Sequence, residues 1–285
     1  MKQEIIDLFD EYTHKALPRR VFFKRLVVLA GGTAAATALL PLLENNYAKA
    51  SMVAEDDPQL SIETVTYPGA DGTLSGYLAR PKAASEDLPK VIVIHENRGL
   101  NAYVKDVVRR TALAGYEALG TDFLSTVGGT PTDEDKAREM ISALDAQQTL
   151  GNLKATLTFL QSRGSGKVGC VGFCWGGGMT NQLAVNAPDL GAAVAFYGSV
   201  PAAESVPNIQ APLLLHYAGL DERINQGIPA YEAALRTAGK TYTICMYGEV
   251  NHAFHNDTNE ARYDANAAQL SWERTIAFFD YFLKS

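Results

Sequence analysis

The sequence predicts an α/β fold with a mostly parallel, doubly wound sheet and helices on both faces of that sheet. Between residues 60 and 285, short apolar segments typical of strands alternate with longer segments typical of helices. One apolar segment leads directly into the glycine-rich run Gly172–Gly178, which predicts a strand, a tight turn and a helix in succession. In a sheet of this kind, functional loops lie at the carboxyl ends of the strands.

The predicted elements follow one another in a regular order. The first two strands flank Gly69-Ala70-Asp71-Gly72 and predict a hairpin, whereas the later strands alternate with helices and predict parallel pairing. We predict strands at 61–67, 74–79, 91–94, 116–122, 167–173, 192–196, 212–217 and 242–247. We predict helices at 104–114, 179–187, 228–238 and 261–283, and a helix-rich polar region at 132–163 that breaks near Gly151.

The composition is that of a globular domain, since 47% of the 285 residues are hydrophobic and 20% are charged. Residues 51–285 carry 18 basic and 27 acidic side chains, a net charge of about −9 that argues against a nucleic-acid partner. We therefore expect a small-molecule substrate. Both a monomer and a small homo-oligomer stay open.

The three cysteines predict neither a disulfide framework nor a zinc site. Cys170 and Cys174 lie in one strand and its turn, which is a poor geometry for a bridge, and Cys245 leaves an odd count. Their spacing matches no zinc-binding pattern. We predict that the protein holds no metal ion and no other cofactor.

Residues 1–50 are predicted to be an export leader ahead of a single domain at 51–285. Pro18–Lys24 resembles a twin-arginine motif, residues 26–43 are apolar, and Ala48-Lys49-Ala50 supplies a cleavage site before Ser51. These features predict a periplasmic protein. The alternatives are an uncleaved segment that anchors the protein to a membrane, or a surface helix of a cytoplasmic protein.

The run Gly172-Phe173-Cys174-Trp175-Gly176 has the pattern Gly-x-Cys-x-Gly of a nucleophile elbow. A residue in this strained turn is lifted clear of the sheet at a helix N-terminus, where the helix dipole favours a thiolate. The alternative is a small buried cysteine beside a glycine-rich turn.

An acid and a histidine complete the pattern. Asp221 follows the predicted strand at 212–217, and His252 follows the last strand. The order Cys174, Asp221, His252 is the nucleophile, acid and histidine order of the α/β-hydrolase fold. Taken alone, Asp221 could equally form a turn and His252 could lie on a surface loop; together they predict a catalytic triad.

The loop His95–Asn101 follows the first strand that is predicted to be parallel. In the α/β-hydrolase fold this loop gives one backbone donor of the oxyanion hole, and the residue after the nucleophile gives the other. We assign these donors to the backbone N–H groups of Asn97 and Trp175. Each donor of this kind stabilises a transition state by about 3 kcal/mol.

Over residues 60–285 the chain resembles the dienelactone hydrolase (carboxymethylenebutenolidase) family. The family's elbow, G-F-C-x-G-G, is matched by Gly172–Gly177, and its nucleophile, acid and base fall on the predicted triad. The resemblance implies that Glu96 lies close to the thiol and helps to control its ionisation, and it places the family's tyrosine on Tyr197. The alternative for Glu96 is a buried acid paired with Arg98 or with backbone donors. The runs Glu96–Asn101 and His252–Asn256 are similar to those of exported members.

The family's substrate arginines have no counterpart at the matching positions, which are His255 and Asn256 in one loop and 123–129 in another. Arg98 or Arg262 could replace them, so we assign Arg98 and Tyr197 to substrate binding. The resemblance implies a cysteine-dependent hydrolase that cleaves an ester or lactone through an acyl-thioester. The alternatives are a broad-specificity esterase for other activated esters and a non-catalytic binding protein on the same scaffold. Without the arginines, we expect neutral substrates to be preferred.

Overall fold

A computed structural model describes residues 1–15, 17–47, 49, 51–83 and 87–285. Its centre is one sheet of eight strands in the spatial order β1-β2-β4-β3-β5-β6-β7-β8. The strands are β1 (Leu60–Pro68), β2 (Thr73–Pro81), β3 (Lys90–Ile94), β4 (Glu117–Asp122), β5 (Val168–Phe173), β6 (Ala192–Phe196), β7 (Leu213–Ala218) and β8 (Tyr242–Tyr247). β1 and β2 pair antiparallel at one edge, and the strands from β4 to β8 all run parallel.

Helices cover both faces of the sheet, which confirms the predicted fold class. The helices of this part of the chain are α4 (Ala102–Leu113), α5 (Glu134–Ser142), α6 (Ala146–Gln161), α7 (Trp175–Asn186), α8 (Glu222–Asn225), α9 (Ile228–Thr237) and α10 (Ala265–Leu283). Side chains of α6, α7 and α9 build the core on one face, and side chains of α4 and α10 build the core on the other. The central strands β3, β5, β6 and β7 are buried along their whole length, as strands covered on both faces should be.

The polar region at 132–163 forms two helices, but the predicted break near Gly151 is wrong. The break lies at residues 143–145, and α6 runs through Gly151. Asp145 caps α6, because its carboxylate accepts hydrogen bonds from the backbone N–H groups of Gln147 and Gln148. Gly151 instead allows close packing, since a Cβ there would lie 2.7 Å from the Cβ of Ala70.

The described residues among the first 47 form three helices, α1 (Gln3–His14), α2 (Arg19–Ala30) and α3 (Thr33–Leu43). Their apolar side chains build a small core of their own around Phe9, Phe22 and Leu26. We call these residues the N-terminal segment. Arg19 of the predicted export motif makes ion pairs with Glu44 and with Asp135 of α5.

The N-terminal segment also packs against the rest of the chain. The hydroxyl of Tyr12 donates to Asp135, and the side chain of Asn259 donates to the carbonyl of Leu43. Within the described part of the chain, no single helix is long and apolar enough to span a bilayer; α2 and α3 meet that requirement only as a pair, bent by 113°. Ala48 and Ala50 of the predicted cleavage site lie outside the described residues. The export leader therefore stays a prediction.

Candidate active site

Cys174 occupies the turn between β5 and α7 with the backbone conformation expected of a nucleophile elbow. Its φ of 55° and ψ of −113° are strained for a residue other than glycine. A Cβ on Gly172 would lie 2.1 Å from the carbonyl oxygen of Gly176, and one on Gly176 would lie 2.4 Å from that of Ile94. Glycine at both positions lets the strand, the turn and the neighbouring β3 loop approach one another closely. α7 therefore begins immediately after Cys174, four residues earlier than predicted.

The structure brings the three predicted triad residues together. Nδ1 of His252 lies 2.5 Å from Oδ2 of Asp221, and the other carboxylate oxygen of Asp221 accepts from the backbone N–H of Ile224. Because a carboxylate only accepts, Nδ1 of His252 carries the proton of this bond. Nε2 of His252 is buried and makes no hydrogen bond to any described residue, and a ring nitrogen of His252 lies within 4.8 Å of the Cys174 sulfur.

The charges at the site favour a thiolate next to a protonated imidazole. Burial alone would raise the pKa of Cys174, but the nearby His14 and His252 bring it well below its ordinary value. Burial alone would lower the pKa of His252, but Asp221 and Cys174 raise it to about 10. Burial would raise the pKa of Asp221, but His252 lowers it overall. Cys174 and His252 are only 8% and 4% exposed, so solvent screens this pair weakly.

The two predicted oxyanion donors, Asn97 and Trp175, lie on segments that meet at Cys174. Trp175 is the first residue of α7, so its N–H belongs to the first turn of that helix, where N–H groups have no partner within the helix. Asn97 lies in the loop after β3, and β3 pairs with β5 directly before the elbow. Both residues line the same cavity as Cys174. The arrangement suits a carbonyl oxygen that gains negative charge.

Glu96 and Tyr197 contact each other near Cys174. Glu96 is 5% exposed and accepts hydrogen bonds from Asn256 at 2.8 Å and from the hydroxyl of Tyr197 at 3.5 Å. Burial raises the pKa of Glu96, and the charge of Cys174 raises it further. The ring of Tyr197 lies 4.9 Å from that of His252 and lines the cavity. Glu96 is thus electrostatically coupled to the thiol, while its hydrogen bonds go to Asn256 and Tyr197.

A fourth side chain at the nucleophile was missed in the sequence. Nε2 of His14, at the end of α1, lies 3.2 Å from the sulfur of Cys174. Nδ1 of His14 lies 2.9 Å from the carbonyl oxygen of Asp10 and 3.2 Å from its carboxylate. The acid four residues before the histidine was the one signal available, since such a pair shares one face of a helix.

A cavity of about 700 Å³ opens beside Cys174 and is large enough for a small ester or lactone. Its lining includes the apolar Ile141 and Trp175 and the cationic Arg138 and Arg223. Among the described residues, the predicted Arg98 lies outside this lining, beside Glu134 and Asp135.

Arg262 also lies outside the lining of this cavity, with its guanidinium over the ring of Phe9. The arginines that line the cavity are therefore not the two considered from the sequence. Arg138 and Arg223 come from α5 and α8, which are not the loops where the resemblance placed the family's arginines.

The side chains of Cys174, His14 and His252 also offer donor atoms that could bind a metal ion. One ring nitrogen of His14, one of His252 and the sulfur of Cys174 lie within 4.8 Å of one another. Imidazole nitrogen and thiolate sulfur are donors that Zn²⁺ accepts. The same atoms serve the thiol chemistry described above.

Comparison with known proteins decides the family. Residues 74–283 match the model of the dienelactone hydrolase family. The chain belongs to the dienelactone hydrolase family. Its members include a "Putative carboxymethylenebutenolidase" of Methylorubrum extorquens, which is 31% identical over 95% of this chain and 97% of its own length. A "Putative hydrolase fragment YghX" of Escherichia coli K12 is 49% identical over 39% of this chain and 96% of its own length.

Solved structures agree with this dienelactone hydrolase family assignment. A "Putative Dienelactone Hydrolase" from Klebsiella pneumoniae superposes with a TM-score of 0.71 at 29% identity, covering 77% of this chain and 98% of that one. The dienelactone hydrolase-like promiscuous phosphotriesterase P91 from metagenomic libraries superposes with a TM-score of 0.72 at 24% identity, covering 79% and 99%, and shares the fold. The chain thus belongs to a family of hydrolases and has the α/β-hydrolase fold.

Proposed function

We propose that this dienelactone hydrolase family member is a cysteine-dependent hydrolase that cleaves an ester or lactone through an acyl-thioester. The observation that carries the proposal is the position of Cys174. Its sulfur lies in a strained elbow, beside the His252–Asp221 pair and at the wall of a cavity of about 700 Å³. A cysteine that served only to fill the core would need neither the strained backbone nor the paired imidazole.

The proposed reaction has two halves. In acylation, the thiolate of Cys174 forms a bond to the carbonyl carbon, and the oxygen takes hydrogen bonds from the N–H groups of Asn97 and Trp175. The C–O bond to the leaving group then breaks, and the proton on Nε2 of His252 goes to the departing alkoxide. A lactone keeps this alkoxide as an alcohol on the acyl chain.

In deacylation, water attacks the thioester carbon. Nε2 of His252 takes one proton from that water, and the C–S bond breaks to restore the thiolate. Asp221 holds His252 in the tautomer that both halves need, because its carboxylate fixes the proton on Nδ1. Atoms and charge balance over the cycle, since one water is consumed and an acid and an alcohol are formed.

The test is hydrolysis of a p-nitrophenyl ester by the full chain and by Cys174→Ala. We expect a loss of at least about 10³-fold in kcat/KM with an unchanged circular dichroism spectrum. Cys245→Ala is the matched control, because Cys245 lies on β8 and should leave turnover intact. Full activity of Cys174→Ala would disprove the nucleophile. If the wild type hydrolyses no ester, lactone or phosphotriester in a substrate panel, a binding protein on this scaffold becomes the better explanation.

We also propose, on residues 18–50 alone, that the chain is exported through a twin-arginine route. Replacing both Arg19 and Arg20 by lysine should then keep the protein in the cytoplasm of a bacterial host. Cell fractionation measures this, and unchanged export would disprove the route. Export and cleavage are separate questions, because cleavage before Ser51 would also remove α1 and His14.

A further inference from the structure

We propose that His14, held by Asp10, is a catalytic residue that supplies a second imidazole to the sulfur of Cys174. The N-terminal segment is then a permanent part of the active site. This inference rests on the cysteine hydrolase proposed above. The inference adds a catalytic residue to that proposal. This residue comes from outside the strand-end loops, which hold the nucleophile, acid and base of the triad.

His14 resembles His252 in having a carboxylate beside Nδ1, although the hydrogen bond of Nδ1 goes to the backbone carbonyl of Asp10 and the carboxylate lies 3.2 Å away as an ion pair. Nδ1 of His14 faces the backbone carbonyl and the carboxylate of Asp10, which are acceptors. The hydroxyl of Thr13, 3.0 Å from Nδ1, donates its hydrogen to the same carbonyl of Asp10, so it too accepts from Nδ1, and Nδ1 carries a proton. Nε2 of His14 is thereby left to face the sulfur at 3.2 Å. The rings of His14 and His252 meet edge to face, with their centroids 4.6 Å apart. Two carboxylate–imidazole pairs thus converge on one sulfur atom.

His14 is fixed in place by contacts with the catalytic domain. The side chain of Asn97, in the proposed oxyanion loop, donates to the carbonyl of Thr13 at 2.9 Å. Arg138 donates to the carbonyl of Tyr12 at 2.5 Å and lies over the ring of Tyr12. The side chain of His14 is only 11% exposed. The end of α1 is therefore bound to both the oxyanion loop and the cavity wall.

A full-length relative shares part of this segment. The Methylorubrum extorquens protein aligns with 95% of this chain, so only about 14 of the 285 residues lie outside the alignment. That number is smaller than the 47 residues of the N-terminal segment, so the alignment extends into the segment. The Klebsiella pneumoniae structure covers only 77% of this chain although it is matched over 98% of its own length. About 23% of this chain therefore lies outside its match to that structure.

A second imidazole has a chemical purpose in the proposed cycle. During acylation the single Nε2 proton of His252 must turn to the leaving alkoxide, and one N–H group cannot bond fully to that oxygen and to the sulfur at the same time. If His14 keeps its own proton, the sulfur retains a hydrogen-bond donor whenever it is negatively charged, both before attack and when it leaves in deacylation. His252 then moves protons and His14 stabilises the thiolate.

Charged groups on the neighbouring elements affect the protonation of His14 and Cys174. Asp10 faces His14 and also meets Arg223 at 3.5 Å and Arg262 at 3.6 Å. Glu96 and the His252–Asp221 pair lie on the other elements around the sulfur. Burial would lower the pKa of His14, but Cys174 and Asp10 raise it overall. The raised pKa favours the protonated form of His14, in agreement with the acceptors around Nδ1.

The experiment measures how fast iodoacetamide alkylates Cys174 as a function of pH, in full-length Cys245→Ala protein and in the same protein with His14→Gln. Glutamine keeps a donor of similar length but cannot be charged. We expect the apparent pKa of the thiol to rise in His14→Gln, so that alkylation falls by about tenfold for each unit of that rise at any pH below both apparent pKa values. Asp10→Asn should give a smaller rise. Asp7→Asn, one helical turn earlier and exposed, is the matched control.

Two further measurements keep the inference falsifiable if a variant is unstable. In His14→Gly, added imidazole should restore part of the alkylation rate, because the adjacent cavity admits it. Rescue of this kind requires a folded site. The intact mass of the active wild-type enzyme should include residues 1–47.

Three results would overturn the inference: a pH profile of His14→Gln that superimposes on that of the wild type, no rescue by imidazole, or a fully active enzyme that begins at Ser51. The proposed function fails separately. If Cys174→Ala stays active, the nucleophile is wrong. If Cys174→Ala is inactive while His14→Gln titrates like the wild type, only the role of His14 is wrong.

Discussion

The strand-end loops and the N-terminal segment each bring a carboxylate–imidazole pair to the same sulfur, but they hold it by different means. His252 and Asp221 follow β8 and β7, two adjacent strands whose backbone hydrogen bonds fix the distance between them. His14 ends a helix that rests on a small apolar core and on side-chain contacts. The first pair is fixed by the sheet, whereas the second depends on how the N-terminal segment packs. The second pair should therefore be the easier one to detach without unfolding the protein.

The largest effect should come from the strand-end pair. We expect His252→Ala to lower kcat/KM by about 10⁴-fold, since both proton transfers pass through Nε2. Adding Asp221→Asn should cost little more, because residues that act as one unit are not additive. Steady-state kinetics of the two single variants and the double variant measure this. Multiplied losses would show that Asp221 works outside the triad.

A smaller effect is expected from loosening the N-terminal segment. Phe9 is 2% exposed in the small core and lies under Arg262. Phe9→Ala should therefore destabilise that core by about 3–5 kcal/mol. The loss cannot exceed the free energy that keeps the N-terminal segment folded on the rest of the protein. The pH profile of Cys174 alkylation should then move toward that of His14→Gln, while the main unfolding transition stays near its wild-type temperature.

Tyr281→Ala is the matched aromatic control, since Tyr281 is 72% exposed on α10 and should change neither measurement. If Phe9→Ala instead lowers the main transition as strongly as a core mutation in the sheet, the segment and the catalytic domain unfold together. The N-terminal segment would then not be easier to detach than the strand-end loops.

The smallest effect concerns substrate charge. Arg138 and Arg223 line the cavity, and Arg138 also holds the end of α1. We expect Arg223→Gln to lower kcat/KM by about tenfold for a dienelactone that carries a carboxylate, with little change for a neutral aryl ester. Paired kinetics on the two substrates give the ratio. Equal losses on both would mean that Arg223 supports His252, whose Nδ1 lies 3.5 Å away, and does not bind the carboxylate.

The sequence predicted the parts of this protein that depend on local pattern. The alternation of elements gave the parallel sheet, and the Gly-x-Cys-x-Gly turn located the elbow, because a strained turn between a strand and a helix needs small residues at fixed spacing. Asp221 and His252 could be identified because parallel strands bring their carboxyl ends to one edge. Gly151 misled the prediction, since a glycine that marks a break in sequence here serves close packing with Ala70.

The tertiary structure alone decided which distant side chains reach the sulfur and the cavity. His14 is 160 residues from Cys174, and the sequence around it predicts only an acid–histidine pair on an amphipathic helix. Arg138 and Arg223 enter the cavity from helices whose local sequences carry no sign of it. The same apolar residues 26–43 suit an export leader and a packed helical segment equally well. An apolar composition indicates that a segment will be buried. Which surface buries it depends on contacts between elements that are far apart in the chain.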